Sequence, residues 1–193
     1  MTVKKSALAF VVALALCGGA QARTFTSTVT ESAAIAQMRP EFKRPDEPNQ
    51  LFYVQRSPNS NTVIYAARLD AKGMPDRREP VEGFWRKFNI DGSRQPLNFI
   101  ERMMAYGVKQ ARTDKNGVTT FTIAALPERR IMLNLDAAGK PQALMQAGQH
   151  TIKLSYVYLH VVEGGLMPEV PKLDIFGTDI ASGKAIHEHL VQK

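Results

Sequence analysis

The sequence predicts an all-β fold, a sandwich or barrel of about nine strands with one short amphipathic helix near residues 96–106. Three observations predict it. Apolar residues recur with a period of two through most of the chain after Leu51. Turn-forming clusters punctuate that alternation every 8–12 residues or so. A single stretch, Leu97–Gln110, follows a helical period instead, and Pro96 and Gly107 bracket it.

Taken in order, the chain opens on an export signal. Lys4 and Lys5 form a basic start, Ala7 to Leu16 an apolar run, and Ala20-Gln21-Ala22 an A-x-A cleavage site. The run is far shorter than the roughly 20 apolar residues a spanning helix needs. Cleavage after Ala22 leaves Arg23–Lys193 and removes two of the positive charges behind the formal net +7. Cys17 raises the alternative of a lipoprotein signal, but Leu16 stands where that pattern wants a small residue. The mature chain then holds no cysteine, which rules out a disulfide, a thiolate nucleophile and a cysteine-ligated metal. Its length allows a core without such staples. The remaining basic residues are scattered and interrupted by acids, as in Asp76-Arg77-Arg78-Glu79, so no nucleic-acid partner is expected. They make a solvated surface or, more sharply read, one that prefers anionic envelope surfaces. No transmembrane segment is expected after signal cleavage.

Residues 23–50 read as an extended N-terminal arm with one short helical stretch, Ser32 to Met38, ending in Pro40, Pro45 and Pro48. Residues 51–193 read as a single β-rich domain. Leu51–Arg56 and Thr62–Asp70 are strands around the turn Ser57–Asn61. Asp114-Lys115-Asn116-Gly117 is a hairpin turn, with Asn-Gly tolerating positive φ at both positions, between Val108–Thr113 and Val118–Leu126. Arg130–Leu135 and Gln142–Gln146 flank Ala138-Gly139-Lys140. The longest strand is His150–Val162, with Ile152, Leu154, Tyr156 and Tyr158 assigned to one face. Its other face changes from polar to apolar, as in a strand that runs into a packed centre. Gly164-Gly165 and Pro168–Pro171 end it, and Lys172–Phe176 follows.

On a helical wheel, Leu97, Phe99, Ile100, Met103 and Met104 share one half of the stretch after Pro96, and Glu101 and Arg102 lie on the other. The expectation is a helix laid on a sheet, Pro96 in its first turn, Gly107 left-handed at its end, and the two methionines filling gaps on the buried side.

Leu97, Ile100-Glu101 and Ala105-Tyr106-Gly107-Val108 resemble the central motif of the bacterial family called domain of unknown function 4833. The resemblance includes Phe52-Tyr53-Val54-Gln55-Arg56, Asn59, Asn61-Thr62-Val63, Tyr65 and Phe84-Trp85 upstream, and Phe176-Gly177 and Gly183 downstream. It implies an exported single-domain protein and brings no catalytic residue with it.

The ligand-binding candidates in these segments are Arg56, Trp85, Arg86, Glu101, Arg102 and Tyr106: two aromatics to line a pocket, and arginines and a carboxylate to anchor polar groups. A purely structural role, with Glu101 bonded to Arg56 or Arg86, is the competing reading. His187 and His189, two apart, face the same way on a strand, yet a metal needs three or four ligands. His150 and His160 lie about 33 Å apart on one strand and cannot share an ion. His160 reads as a satisfied core residue, and Asp174 and Asp179 have no spacing that marks acid–base work. No metal centre and no cofactor is therefore expected, and no catalytic motif is present. The favoured function is a non-catalytic periplasmic or secreted domain that binds a small molecule or an envelope protein. The alternatives are a cofactor-free hydrolase or lyase with a Glu/Arg/Tyr site, and a structural envelope protein that works through its arm.

Overall fold

A computed structural model describes residues 25–162 and 169–193. The expected signal segment, Cys17 and Gly164-Gly165 lie outside the described residues. The fold is all-β: among the described residues, twelve strands form a single sheet that curls into a half-barrel. The strands are β1 (Phe25–Ser32), β2 (Gln50–Arg56), β3 (Thr62–Ala67), β4 (Val81–Arg86), β5 (Arg94–Pro96) and β6 (Val108–Thr113). They continue as β7 (Thr119–Ile123), β8 (Leu126–Leu135), β9 (Pro141–Ala147), β10 (His150–Val162), β11 (Glu169–Asp179) and β12 (Ala185–Gln192).

β10 is the trunk of the sheet. Along one edge it pairs antiparallel with β11, which carries β12 and then β1. Its other edge forks. Residues 150–153 pair antiparallel with β9, and residues 156–159 pair parallel with β2. From the fork, β9-β8-β7-β6 and β2-β3-β4-β5 leave as two wings whose inner faces meet. Phe52 stacks on Tyr65 at 4.5 Å and on Phe121 of the opposite wing at 6.5 Å. Each fully buried aromatic of this kind contributes about 2–3 kcal/mol through the apolar area it removes from water. Arg129 of β8 reaches across to Glu188 of β12 and ties the β9–β6 wing to the far side of the trunk.

Three hairpin or loop turns share an Asp-x-x-Gly pattern. In Asp70–Gly73, Asp114–Gly117 and Asp136–Gly139 the aspartate carboxylate accepts two backbone N–H groups of its own turn, and only the glycine has positive φ. Asn116 therefore does not adopt the left-handed conformation expected of an Asn-Gly pair. The side-chain bonds of Asp114 hold a longer turn in which Gly117 alone needs it.

Two further expectations fail in the arm and trunk. Ser32–Met38 is not helical; Ser32 ends β1, and the residues that follow are irregular. The faces of β10 also differ from a simple alternation. A bulge between Leu154 and Tyr156 inserts one residue, so Ile152 and Leu154 share the main core with Val157 and Leu159. Tyr156 and Tyr158 turn to the outer face instead. Gly177 stands opposite this bulge, where a Cβ would lie 2.6 Å from the Lys153 carbonyl oxygen, so the close approach requires glycine.

The helical stretch exists but is turned inside out. Pro96 ends β5, Asn98 is the N-cap, and Phe99–Glu101 lead into a π-helical turn over Arg102–Tyr106. Glu101 completes a capping box with Asn98. The wider turn carries Tyr106 onto the core, where Leu97 and Ala105 also pack. Phe99, Ile100, Met103 and Met104 are left outside, 48–71 % exposed. Gly107 is not left-handed (φ −67°). It is glycine because a Cβ would lie 1.9 Å from the Arg102 carbonyl oxygen.

Candidate metal centre

Beyond the bulge, the outer face of the trunk is built in rows. One row runs Tyr53, Tyr156, Phe176, His187 across β2, β10, β11 and β12, and the next runs Gln55, Tyr158, Asp174, His189. The first is a continuous stack: Tyr53 on Tyr156 at 5.1 Å, Tyr156 on Phe176 at 4.4 Å, Phe176 on His187 at 4.4 Å, all nearly parallel. The arm covers the β2 and β10 end. Ile35 packs on the aromatics, and the Tyr156 hydroxyl donates to the Ala36 carbonyl at 2.5 Å and accepts the Met38 N–H at 3.3 Å. Burial pushes the Tyr53 hydroxyl up to about 12 and that of Tyr156 well above the usual phenol range.

At the uncovered end lies a cluster of four polar side chains. The Asp174 carboxylate is 1 % exposed as a residue and meets three imidazoles. His187 Nε2 lies 2.6 Å and His189 Nδ1 2.8 Å from its Oδ1, and His160 Nε2 lies 2.5 Å from its Oδ2. The three histidines come from two strands flanking β11, at registers that place them around Asp174. Burial pushes the Asp174 carboxyl up, and hydrogen bonds from His187, His189 and His160 outweigh it, holding it below the usual carboxylate range. The imidazoles are about one-third exposed, so the centre opens to solvent on one side.

The donor set suits a borderline transition-metal ion. Asp174 Oδ1, His187 Nε2 and His189 Nδ1 all lie within 4.8 Å of one another. Bonds of about 2.0–2.2 Å in a tetrahedral zinc site put neighbouring donor atoms roughly 3.3 Å apart. The two separations from Asp174 Oδ1, 2.6 and 2.8 Å, therefore need to widen by about half an ångström, a small rotation of rings that are one-third exposed. His160 stands outside that group of three, with its Nε2 bonded to the second carboxylate oxygen of Asp174. Its ring centroid is 6.4 Å from that of His189, the same as the His187–His189 separation.

The residues singled out from the sequence are dispersed. Trp85 and Tyr106 do meet, edge to face at 5.1 Å, and Arg56 hydrogen-bonds the Tyr106 hydroxyl, but both aromatics are core residues. Arg86 lies elsewhere and grips Glu47 of the arm through two bonds of 2.5 and 2.7 Å. Glu101 is occupied in its cap, and Arg102 lines an outer groove. Asn59 accepts the Asn61 N–H within its own loop, and Asn61 accepts the Asn89 N–H of a neighbouring one. His160 is not a core residue; the bulge in β10 puts it on the outer face. The visible sequence signal was the His187/His189 pair. The partners that complete it, His160 and Asp174, come from other strands whose register sequence spacing does not show.

Fold and centre together define a class: a curled all-β protein with an imidazole–carboxylate cluster on the outer face of its sheet. The model of the family described as Domain of unknown function (DUF4833) matches residues 52–189, and the chain belongs to that family. All four residues of the cluster fall within the matched region. Neither a curated protein nor a solved structure matches the chain. No helix among the described residues is long and apolar enough to cross a membrane.

Proposed function

We propose that this is an exported, periplasmic or secreted, non-catalytic protein that binds one transition-metal ion, of the zinc, copper(II) or nickel class, through His187, His189 and Asp174, with His160 bonding the second oxygen of the Asp174 carboxylate. The observation that carries this reading is the convergence of three imidazole nitrogens within 2.8 Å of one buried carboxylate. Nitrogen-rich sites favour these ions over magnesium or calcium, which take oxygen ligands. The export signal and the cysteine-free mature chain agree with a site that works outside the cytoplasm.

Calorimetric titration of chelator-stripped protein with Zn²⁺, Cu²⁺ and Ni²⁺ tests it. One site per chain is expected, with affinity reduced by at least about 100-fold in His187→Ala/His189→Ala and little response to Mg²⁺ or Ca²⁺. Saturation that survives the double substitution, or an absence of uptake by the wild type, rules the reading out.

A further inference from the structure

We propose that the corner formed by the Phe99–Tyr106 turn and the groove beside it docks the protein on an anionic lipid surface. This corner shares no residue with the metal centre, and two independent features meet in it. The first is apolar. Phe99 is 71 % exposed, Ile100 65 %, Met103 50 % and Met104 48 %, on consecutive turns of a segment whose inward positions are taken by Leu97, Ala105 and Tyr106. None of these four side chains belongs to either buried cluster of the described residues. The segment is nonetheless well formed, with its N-terminus closed by a capping box and the carbonyl of Tyr106 accepting the buried Tyr65 hydroxyl at 2.8 Å. The apolar tip is therefore presented by a supported element rather than a loose loop.

The second feature is charge. A groove of about 650 Å³ between β4 and β6 is lined by Arg68, Arg78, Arg94, Arg102 and Lys109 against only two carboxylates, Glu79 and Glu82. Arg68 pairs with both carboxylates and Arg94 with Glu82. Among the described residues, Arg102 and Lys109 form no ion pair with a carboxylate, and Arg78 acts on Asp76 through its charge without a close ion pair. Arg102 belongs to both features: it lines the groove and stands in the chain between Ile100 and Met103.

A free anion would engage the cations and leave the apolar tip in water. A second copy of the chain would bury the tip but bring two basic grooves together in a two-fold contact. An anionic bilayer uses both features: bulky apolar side chains enter the headgroup–acyl boundary while arginine and lysine meet lipid phosphates.

Co-sedimentation with vesicles tests the proposal, using protein recovered from the extracytoplasmic fraction with its N-terminus established by mass spectrometry. The comparison is between phosphatidylcholine vesicles with and without phosphatidylglycerol. Partitioning at least about tenfold stronger onto the anionic vesicles, weakened by salt, is expected. Phe99→Gln/Met103→Gln alters only exposed side chains and should reduce that partitioning about tenfold, as should Arg102→Glu/Lys109→Glu, with circular dichroism unchanged. Equal binding to neutral vesicles, no binding to either, or full binding by either double variant overturns the proposal. A concentration-dependent dimer that Phe99→Gln/Met103→Gln abolishes assigns the corner to a second copy and overturns it too.

Discussion

Replacing Asp174 by asparagine separates the carboxylate's two roles, holding three imidazoles together and ligating a metal. The substitution preserves shape but removes the charge and converts one oxygen into a donor that faces an imidazole N–H. Asp174 accepts from His187, His189 and His160 at 2.5–2.8 Å. Hydrogen bonds to a charged group contribute about 1.5–3 kcal/mol each. The imidazoles are one-third exposed and the asparagine oxygen retains part of the network, so a net loss of about 1–3 kcal/mol is expected. At roughly 2–4 °C per kcal/mol for a chain of this size, the melting temperature in EDTA falls by about 2–12 °C. Zinc at 100 times its dissociation constant stabilises the wild type by about 2.7 kcal/mol. A 10–100-fold loss of affinity in Asp174→Asn shrinks that increment to about 0.4–1.4 kcal/mol at the same zinc concentration. Scanning calorimetry of both proteins, in EDTA and in zinc, reads each effect separately. Equal zinc-induced shifts in the two proteins would show that Asp174 is not a ligand, and an unchanged melting temperature in EDTA would refute its role as the hub of the cluster.

Arg129→Met should destabilise by about 2–4 kcal/mol, because Glu188 is 1 % exposed and would keep only the Ser27 hydroxyl; a denaturant titration measures this, and adding Glu188→Leu should restore most of the loss. Gly107→Ala forces a Cβ onto the Arg102 carbonyl, so opening of the π turn and a loss on the order of 2–4 kcal/mol are expected in thermal melts. Gln55→Met should stabilise by about 1 kcal/mol in the same melts, since both amide atoms of this fully buried side chain lack partners among the described residues. Above pH 10 the fold should weaken. Burial raises the phenols of Tyr53, Tyr65, Tyr106 and Tyr156, so the unfolded chain ionises first and stability falls as pH rises towards the folded-state values. Tyr53 alone, raised from 10 to about 12, accounts for about 2–3 kcal/mol of that loss, and phenolate absorbance should appear only as the chain unfolds.

Local chemistry was legible in the sequence, and non-local register was not. The limits of β10 and β6, the hairpin at Gly117 and the loop at Asn59–Asn61 follow from turn residues and period-two patterning, which act within a few residues. β1, β4, β5 and β12 were missed because their exposed or mixed patterns (Phe25–Ser32 is almost entirely exposed) make sense only beside their partners. The β10 bulge is invisible to alternation alone, since one inserted residue exchanges the faces of everything after it. That single slip hid His160. The helix failed for a related reason: the wheel located the apolar half of Phe99–Tyr106 correctly, but the π turn and the tight Gly107 contact decided which half faces the sheet.

The position of the cluster follows from how the outer face is covered. A sheet wet on one side normally alternates apolar and polar residues, yet here Tyr53, Ile64, Phe84, Tyr156 and Phe176 all lie buried on the outer side. The arm makes this possible, held at one end by Ile35 and Ala36 over Tyr156 and at the other by Glu47 on Arg86. It meets β12 edge to edge through β1, whereas the packed cover from Ile35 lies over the tyrosine end of the row. Phe176 is the last fully buried member of the stack, and His187 is the first ring beyond it with solvent access. An imidazole suits that boundary, because its flat face continues the aromatic stack while its nitrogens satisfy the buried Asp174 and remain reachable from water. A metal held there rests on a ligand whose ring is already fixed by stacking, so little of its orientation must be found on binding. On this reading the aromatic row is the support of the centre, and Phe176→Ala should lower zinc affinity although Phe176 touches no metal, with Phe176→Tyr or Phe176→Leu restoring it in the order of how well each packs against His187. Equal affinity across the series would leave the stack as packing alone.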